Sequence, residues 1–187
     1  MDQQQPAYLV GRDPTEKIVG MHPEWDDEKT FMRTYFRHGN RVDYDDFRLY
    51  PFFYATSQAA RIVHDASKDS VSVKKTDGSN KYNYLIVTEG WSAYKDALNL
   101  IYTRLGYPKP ELDEDGKPDY DYRLIDEVYT VGSITTQFLM QSGKTFFKGM
   151  QFKDVRRMQV DIETYTEHDF PSADRAEDHI TIISITR

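Results

Sequence analysis

Periodic apolar positions predict three helices in this chain. The strongest pattern covers residues 91–105, where apolar residues recur every three or four positions: Trp91, Tyr94, Leu98, Ile101 and Leu105. Gly106 and Pro108 are expected to end this helix, since proline cannot continue its hydrogen bonds. Two shorter helices are predicted at 57–66 and 134–141, each preceded by a Ser or Thr that can cap it.

The remaining apolar segments predict short strands: 8–10 with 17–21, 31–37, 42–54, 71–75, 82–88, 124–131, 145–147, 155–163 and a buried strand at 180–185. Asp77-Gly78 indicates a hairpin turn between two of them. Pro51 lacks an N–H, which predicts an edge strand or a strand start. The polar segments 23–29, 109–122 and 165–178 are expected to be loops. Strands and helices mix without regular βαβ order, so the pattern predicts an α+β fold.

Composition and charge narrow the class of protein. Of the 187 residues, 39% are hydrophobic, including 14 Tyr and 10 Phe, which is enough for a core. The net charge of −7 disfavours non-specific DNA binding, so any nucleic-acid surface must be a local basic patch. The absence of Cys excludes thiolate metal sites and a Cys nucleophile, and it is compatible with a cytoplasmic location. No apolar run approaches 18 residues, so no membrane association is expected.

The segment 160–164, Val-Asp-Ile-Glu-Thr, carries the candidate chemistry. In a strand, Asp161 and Glu163 point to the same side, with Cα atoms roughly 6.5–7 Å apart. Mg²⁺ sites that act on phosphates use one or two protein carboxylates, and a pair of such ions can hydrolyse a phosphodiester. The alternative interpretation is a solvated strand end, because Asp-x-Glu also occurs by chance.

Other candidate residues have simpler alternative roles. Lys74-Lys75 and segment 153–157 can contact phosphates or form a solvated face. The aromatic run 52–54 can stack on bases or pack in the core. The acids of the late loop can complete a metal site or remain solvated: Asp169, Asp174, Glu177 and Asp178. The five His residues lack metal-site spacing, and no phosphate-binding glycine loop is present.

Residues 158–164, Met-Gln-Val-Asp-Ile-Glu-Thr, are followed by a loop and by the Ile-rich segment 180–185. This arrangement resembles the first exonuclease motif of family B DNA polymerases. Segment 43–55 contains Asp-Tyr-Asp-Asp-Phe and then Tyr-Pro-Phe-Phe-Tyr-Ala, and it is similar to an N-terminal strand region of that family. Segment 129–143 resembles the short helix ahead of the exonuclease domain. The three segments share the order and spacing found in the family.

The resemblance implies a mixed-sheet N-terminal domain over 1–152 and the first strands of a ribonuclease H-like 3′–5′ exonuclease domain over 153–187. Asp161 and Glu163 match the first two metal-binding, catalytic carboxylates of the proofreading site. The remaining exonuclease carboxylates and the polymerase motifs of the family are not in this sequence. The chain is therefore expected to be an N-terminal fragment, inactive alone, with Mg²⁺ or Mn²⁺ bound only by the complete site.

The full-length protein implied by the resemblance is a DNA-directed DNA polymerase of replication or repair. Its expected partners are template and primer DNA, with a sliding clamp as a further candidate. Pro51 and Phe52 are the candidate nucleic-acid-binding residues of the N-terminal domain. Some archaeal members read template uracil in a pocket there; Pro51 matches its proline, whereas Gln137 stands where a basic residue is expected.

Two other functions are compatible with the sequence. A stand-alone metal-dependent 3′–5′ exonuclease would need the late loop acids to complete its metal site. A non-enzymatic module that binds single-stranded DNA would leave Asp161 and Glu163 incidental. Its DNA binding would be unaffected by metal or by substitution of those two residues.

Overall fold

The structure is a computed structural model that describes residues 11–25, 29–66, 70–167, 170–172 and 178–186. These residues contain α-helices and antiparallel sheets, which confirms the predicted α+β class. The chain divides into two compact units, Met1–Lys148 and Gly149–Arg187. The domain boundary predicted from the sequence lies between residues 152 and 153. No helix in the described ranges is long and apolar enough to cross a membrane.

The first sheet of unit 1 is a three-stranded meander. It consists of β1 (Ile18–Trp25), β2 (Thr30–His38) and β3 (Arg41–Leu49), paired antiparallel in that order. One face of β2 is buried through alternate residues, as the predicted strand pattern requires. On the other face, the Arg33 guanidinium contacts Glu24 of β1 at 2.9 Å and Asp46 of β3 at 2.8 Å, which links the three strands.

The second sheet of unit 1 has two helices on one face. Its elements in chain order are β4 (Phe52–Ala55), α1 (Ser57–Ala66), β5 (Val71–Lys75), β6 (Tyr84–Thr88), α2 (Trp91–Arg104) and β9 (Val128–Thr130). Between α2 and β9 the chain forms a separate small hairpin of β7 (Glu111–Leu112) and β8 (Pro118–Asp119). The strand order is β5-β6-β4-β9, with antiparallel pairs throughout. Phe53 and Ile86 are fully buried in the core shared with α1 and α2. The Phe53 ring meets Tyr94 of α2 edge to face at 5.5 Å.

A third helix, α3 (Ile134–Ser142), packs on the first sheet. The Ser133 hydroxyl accepts a hydrogen bond from the Thr136 N–H at its start, and Gly143 ends it at φ 70°. The cap and the start at Ile134 agree with the prediction, and the helix ends at Ser142, one residue later than predicted. Phe138 of α3 is buried in a cluster with Met32 and Leu49 of that sheet.

Unit 2 contains an antiparallel hairpin of β10 (Gln159–Tyr165) and β11 (His179–Thr186). Every residue of both strands is exposed. The prediction that 180–185 forms a buried strand is therefore wrong in its burial, although the strand itself is confirmed. Within the described part of this unit, β11 pairs only with β10.

Proline accounts for two differences from the predicted strands. A loop was predicted from Pro23 onward, but β1 continues to Trp25, because an edge strand has a partner on one side only and tolerates a missing N–H. Pro51 immediately precedes β4, which confirms a strand start. The edge-strand alternative is wrong, since β4 lies between β6 and β9. The Pro51 carbonyl accepts hydrogen bonds from the Thr88 N–H and hydroxyl, both at 2.9 Å.

Strand lengths account for the other differences. The strand predicted at 124–131 is shortened to β9 because a 3₁₀ turn, Tyr122–Leu124, comes first. A second 3₁₀ turn, Phe152–Asp154, delays the strand predicted from 155, so that β10 begins at Gln159. Segment 145–147 is not a strand, and Phe147 has φ 58°. The predicted first strand at 8–10 lies outside the described residues.

Candidate metal ligands and nucleic-acid grooves

Asp161 and Glu163 lie on one face of the exposed hairpin. Asp161 pairs with Ser184 and Glu163 pairs with Ile182. Because side chains alternate along a strand, the two carboxylates share this face with the side chains of their cross-strand partners. Within the described part of the chain, neither carboxylate forms a hydrogen bond or an ion pair. Both are accessible to a metal ion from solvent.

A bulge interrupts the hairpin directly after Glu163. The pairing register shifts between Glu163 and Thr164, which pairs with Ile180. The Thr181 hydroxyl donates a hydrogen bond of 3.0 Å to the Glu163 carbonyl oxygen at this point. Such bulges bend a strand and change the direction of nearby side chains. Here the irregularity fixes the backbone beside one of the two candidate ligands.

The opposite face of the hairpin is apolar. Val160 pairs with Ile185 and Ile162 pairs with Ile183, so these four side chains lie together behind the carboxylates. Each of them is between 48% and 63% exposed. Contiguous exposed apolar side chains of this kind usually mark a surface that another element covers.

The acids that the sequence offered to complete a metal site are mostly outside the described residues. This is the case for Asp169, Asp174 and Glu177. Asp178 is described, and its carboxylate accepts a hydrogen bond from the Ser172 N–H at 2.7 Å. In the described ranges, no group of three or more His, Asp or Glu residues is placed to hold a metal ion. The pair on β10 thus supplies part of an oxygen-ligand site.

A separate groove of about 540 Å³ lies on the open face of the second sheet of unit 1. We call it the aromatic groove; it is lined by Tyr50, Phe52, Tyr54, Lys74, Lys75 and Gln141, among others. Strand pairing places Phe52 and Tyr54 on the face opposite the helices, because their neighbour Phe53 faces the core. The volume is in the range of small-ligand sites. Asp77, which also lines the groove, partly offsets the two lysines.

Of the candidate nucleic-acid residues, Phe52 lines this groove, and Pro51 immediately precedes Phe52 in the chain. Both are buried, and Phe52 is only 4% exposed. Phe52 meets Tyr54 edge to face at 5.8 Å, so it supports a ring that is half-buried rather than exposed. Tyr50, which is 41% exposed, and Tyr54 present more accessible ring surface to a base than Phe52 does. Sequence reasoning did not single out Tyr50; its place beside the Pro-aromatic run was the available signal.

A second groove, of about 520 Å³, lies between α1 and the edge strand β5. We call it the cationic groove. Its polar lining includes Arg61 and His64, three residues apart on α1, together with Lys75 at the end of β5. Lys75 lines both grooves. The described residues that line the cationic groove include no Asp or Glu.

The second basic candidate, segment 153–157, belongs to unit 2. Lys153 and Arg157 are exposed there, and the Arg157 guanidinium lies over the Phe152 ring at 5.5 Å. Together, the candidate residues offer an oxygen-ligand pair on the hairpin and, in unit 1, two grooves with aromatic and cationic linings. In comparisons with known proteins, no protein-family model and no curated protein matches this chain.

Proposed function

We propose that this chain is the N-terminal part of a family B DNA-directed DNA polymerase with a proofreading 3′–5′ exonuclease. The observation that carries the proposal is the pair Asp161 and Glu163, which share one face of an exposed antiparallel hairpin. In the proposal, β10 and β11 are the first strands of a ribonuclease H-like exonuclease domain. Template and primer DNA are the partners, a sliding clamp is a further candidate, and the location is cytoplasmic.

Contacts within unit 1 support the proposal from another side. Two of the three segments that resemble the family, 43–55 and 129–143, are far apart in sequence but adjacent in space. Tyr54 of β4 pairs with Tyr129 of β9. The Gln137 side chain of α3 bonds the Phe52 backbone at 2.9 Å. Segments that resemble one family and also pack together are what a shared fold requires.

The apolar back of the hairpin fits a domain whose sheet continues beyond these two strands. Val160, Ile162, Ile183 and Ile185 would be covered by the remainder of that domain. Each burial of this kind contributes about 1.5–3 kcal/mol per side chain. The same burial would fix the direction of Asp161 and Glu163 on the opposite face.

The residues fit one half of a Mg²⁺ or Mn²⁺ site. Asp161 and Glu163 would supply carboxylate oxygens, and further carboxylates of the full-length protein would complete the site. A bound pair of metal ions supplies the activated water and stabilises the leaving oxygen of the terminal phosphodiester. The role of this chain is to hold two of the metal ligands on a hydrogen-bonded strand pair. With those two ligands alone, the 187-residue chain is expected to be inactive.

The test starts from the native protein. An antibody raised against the 187-residue chain should detect a band several times larger than 21.9 kDa in the source cells. The captured protein should extend a primer and remove a mispaired 3′ end in the presence of Mg²⁺. A native band at 21.9 kDa without either activity would overturn the proposal.

A stand-alone 3′–5′ exonuclease makes the opposite prediction for the purified chain. That chain would then degrade a single strand from its 3′ end with Mg²⁺ or Mn²⁺. The activity would be lost in Asp161→Ala. A matched substitution, Glu114→Ala, removes an exposed acid from unit 1 and should leave such an activity intact.

A module that binds single-stranded DNA is the second candidate function, and the aromatic groove favours it. Tyr50 and Tyr54 offer ring faces for stacking, and Lys74 and Lys75 offer charge for phosphates. Two results together would favour this candidate. The chain would bind a short oligonucleotide with an affinity that neither EDTA nor Asp161→Ala changes, and the native protein would show neither nuclease nor polymerase activity.

A further inference from the structure

The cationic groove concentrates positive charge in an acidic protein. Arg61 and His64 lie three positions apart on α1, so their side chains project from the same side of the helix toward Lys75 of β5. The chain as a whole has a net charge of −7. A local cationic patch on such a background selects for an anionic ligand, because the rest of the surface repels it.

Two cationic side chains of this groove have no acidic partner among the described residues: neither Arg61 nor Lys75 forms an ion pair there. His64 has one acidic contact, since its Nδ1 lies 3.3 Å from the Asp65 carboxylate. On the first sheet of unit 1, Arg33 is paired with Glu24 and Asp46, and Arg48 is paired with Glu89. Arg61 and Lys75 differ from these two paired arginines.

Lys75 connects the two grooves around the end of β5. It lines the cationic groove together with Arg61 and the aromatic groove together with Tyr54. Lys74, its neighbour, lies on the aromatic side, and it pairs with Leu85 across the strand. Cations followed by accessible aromatic rings, here the half-buried Tyr54 and the exposed Tyr50, are the arrangement that binds single-stranded nucleic acid: phosphates contact the cations and bases stack on the rings.

We propose that the cationic groove is a backbone-phosphate subsite for a single DNA strand that passes around Lys75 and places its bases in the aromatic groove. The Arg61 guanidinium and the Lys75 ammonium each contact a phosphate, and His64 adds a hydrogen-bond donor. The inference deepens the proposed function, in which a DNA strand is the partner, but it concerns a surface remote in sequence from Asp161 and Glu163.

The test measures binding of fluorescein-labelled (dT)₁₀ to the 187-residue chain by fluorescence anisotropy across a salt series. Arg61→Ala and Lys75→Ala should each weaken binding about 3–10-fold. Each should also lower the slope of log K against log salt by about 0.7, the value for one lost phosphate contact on a single strand. Arg104→Ala and Lys95→Ala are the matched controls: they remove the same charges from exposed positions of α2 and should change neither quantity.

A second probe separates phosphate contacts from base stacking. An abasic deoxyribose-phosphate decamer should still lose affinity in Arg61→Ala but not in Tyr54→Ala, whereas (dT)₁₀ should lose affinity in both. Equal effects of Arg61→Ala and Arg104→Ala would overturn the inference, since charge alone would then explain binding. At least tenfold tighter binding of (U)₁₀ RNA would overturn the assignment to DNA. If the native protein is a polymerase but the 187-residue chain fails these binding tests, the phosphate-subsite inference is wrong and the proposed function stands.

Discussion

The Gln137 side-chain oxygen accepts a hydrogen bond from the Phe52 N–H at 2.9 Å, although the two residues are 85 positions apart. The Gln137 amide nitrogen donates to the Val131 carbonyl oxygen at 3.0 Å. Gln137 is 1% exposed, so one buried amide serves two backbone groups and joins α3 to the first residue of β4. The Phe52 N–H follows directly on Pro51, which has no N–H to offer.

Substitution of Gln137 by Ala should lower the free energy of unfolding by about 2–4 kcal/mol, because it leaves a buried N–H and a partly buried C=O without partners. Urea denaturation of the purified chain measures this loss. Gln141→Ala is the matched control. Gln141 lies one turn further along α3 and bonds the Tyr50 backbone at an exposed position, so its loss should cost less than about 1 kcal/mol. Equal losses in both variants would contradict the assigned role of Gln137.

The contact between Gln137 and Phe52 also illustrates which features of the fold can be predicted from the sequence and which cannot. The caps of α3 and the apolar stripe of α2 were predictable, because their signals lie within a few residues of each other. The position of β4 in the middle of its sheet was not, because it depends on pairing with β6 and with β9, more than 70 residues later. Pro51 suggested an edge strand, but the hydrogen-bonded pairing of β4 begins at Phe52, one residue after the proline.

The candidate sites also differ in whether they can be predicted from the sequence. Asp161 and Glu163 share a face because of the two-residue period of a strand, which is visible in the sequence. The aromatic groove combines residues from β4, β5, β6 and α3, and the cationic groove combines α1 with β5 and β6. No local pattern links Arg61 to Lys75, so neither groove was predictable from spacing alone.

Lys144 forms a partly buried ion pair with Asp13 in unit 1. Its ammonium lies 3.1 Å from the Asp13 carboxylate and 2.8 Å from the Thr15 hydroxyl, and Lys144 is 7% exposed. Lys144→Met should lower the free energy of unfolding by about 2–3 kcal/mol, because the Asp13 charge loses its partner. Lys153→Met, at an exposed position in unit 2, is the control and should have little effect in the same urea titration.

The same pair predicts a pH dependence of stability. Burial of Asp13 opposes its ionisation, but hydrogen bonds from Thr15 and Lys144 outweigh it and hold the pKa of Asp13 below its ordinary value of 3.8. The unfolded state therefore binds the proton first as pH falls. The contribution of Asp13 to stability is complete above about pH 4 and is lost as pH falls through the folded pKa. Asp13→Asn should flatten thermal stability between about pH 4 and pH 2; an unchanged slope would contradict the prediction.

The apolar back of the hairpin should make the purified chain associate. Ile183→Thr reduces this face and should lower both the binding of the dye ANS and the concentration-dependent light scattering of the chain. Ile182→Thr removes the same atoms from the opposite face, beside Glu163, and is the matched control. We expect a clear decrease in ANS binding and light scattering for Ile183→Thr and a smaller decrease for Ile182→Thr. Similar decreases would mean that the two faces are not distinct.

The proposed metal site makes its sharpest prediction in the full-length polymerase that we propose. Asp161→Asn and Glu163→Gln each remove one ionic ligand while keeping size and shape. If each weakens transition-state stabilisation by about 3 kcal/mol, the exonuclease rate falls about a hundredfold. Under the proposed function, primer extension should remain within about twofold, because family B polymerases carry their polymerase motifs outside the region that this chain resembles. Glu167→Gln, an exposed acid just beyond β10, should leave both rates unchanged. Loss of polymerase activity together with exonuclease activity would instead indicate that Asp161 and Glu163 maintain the fold.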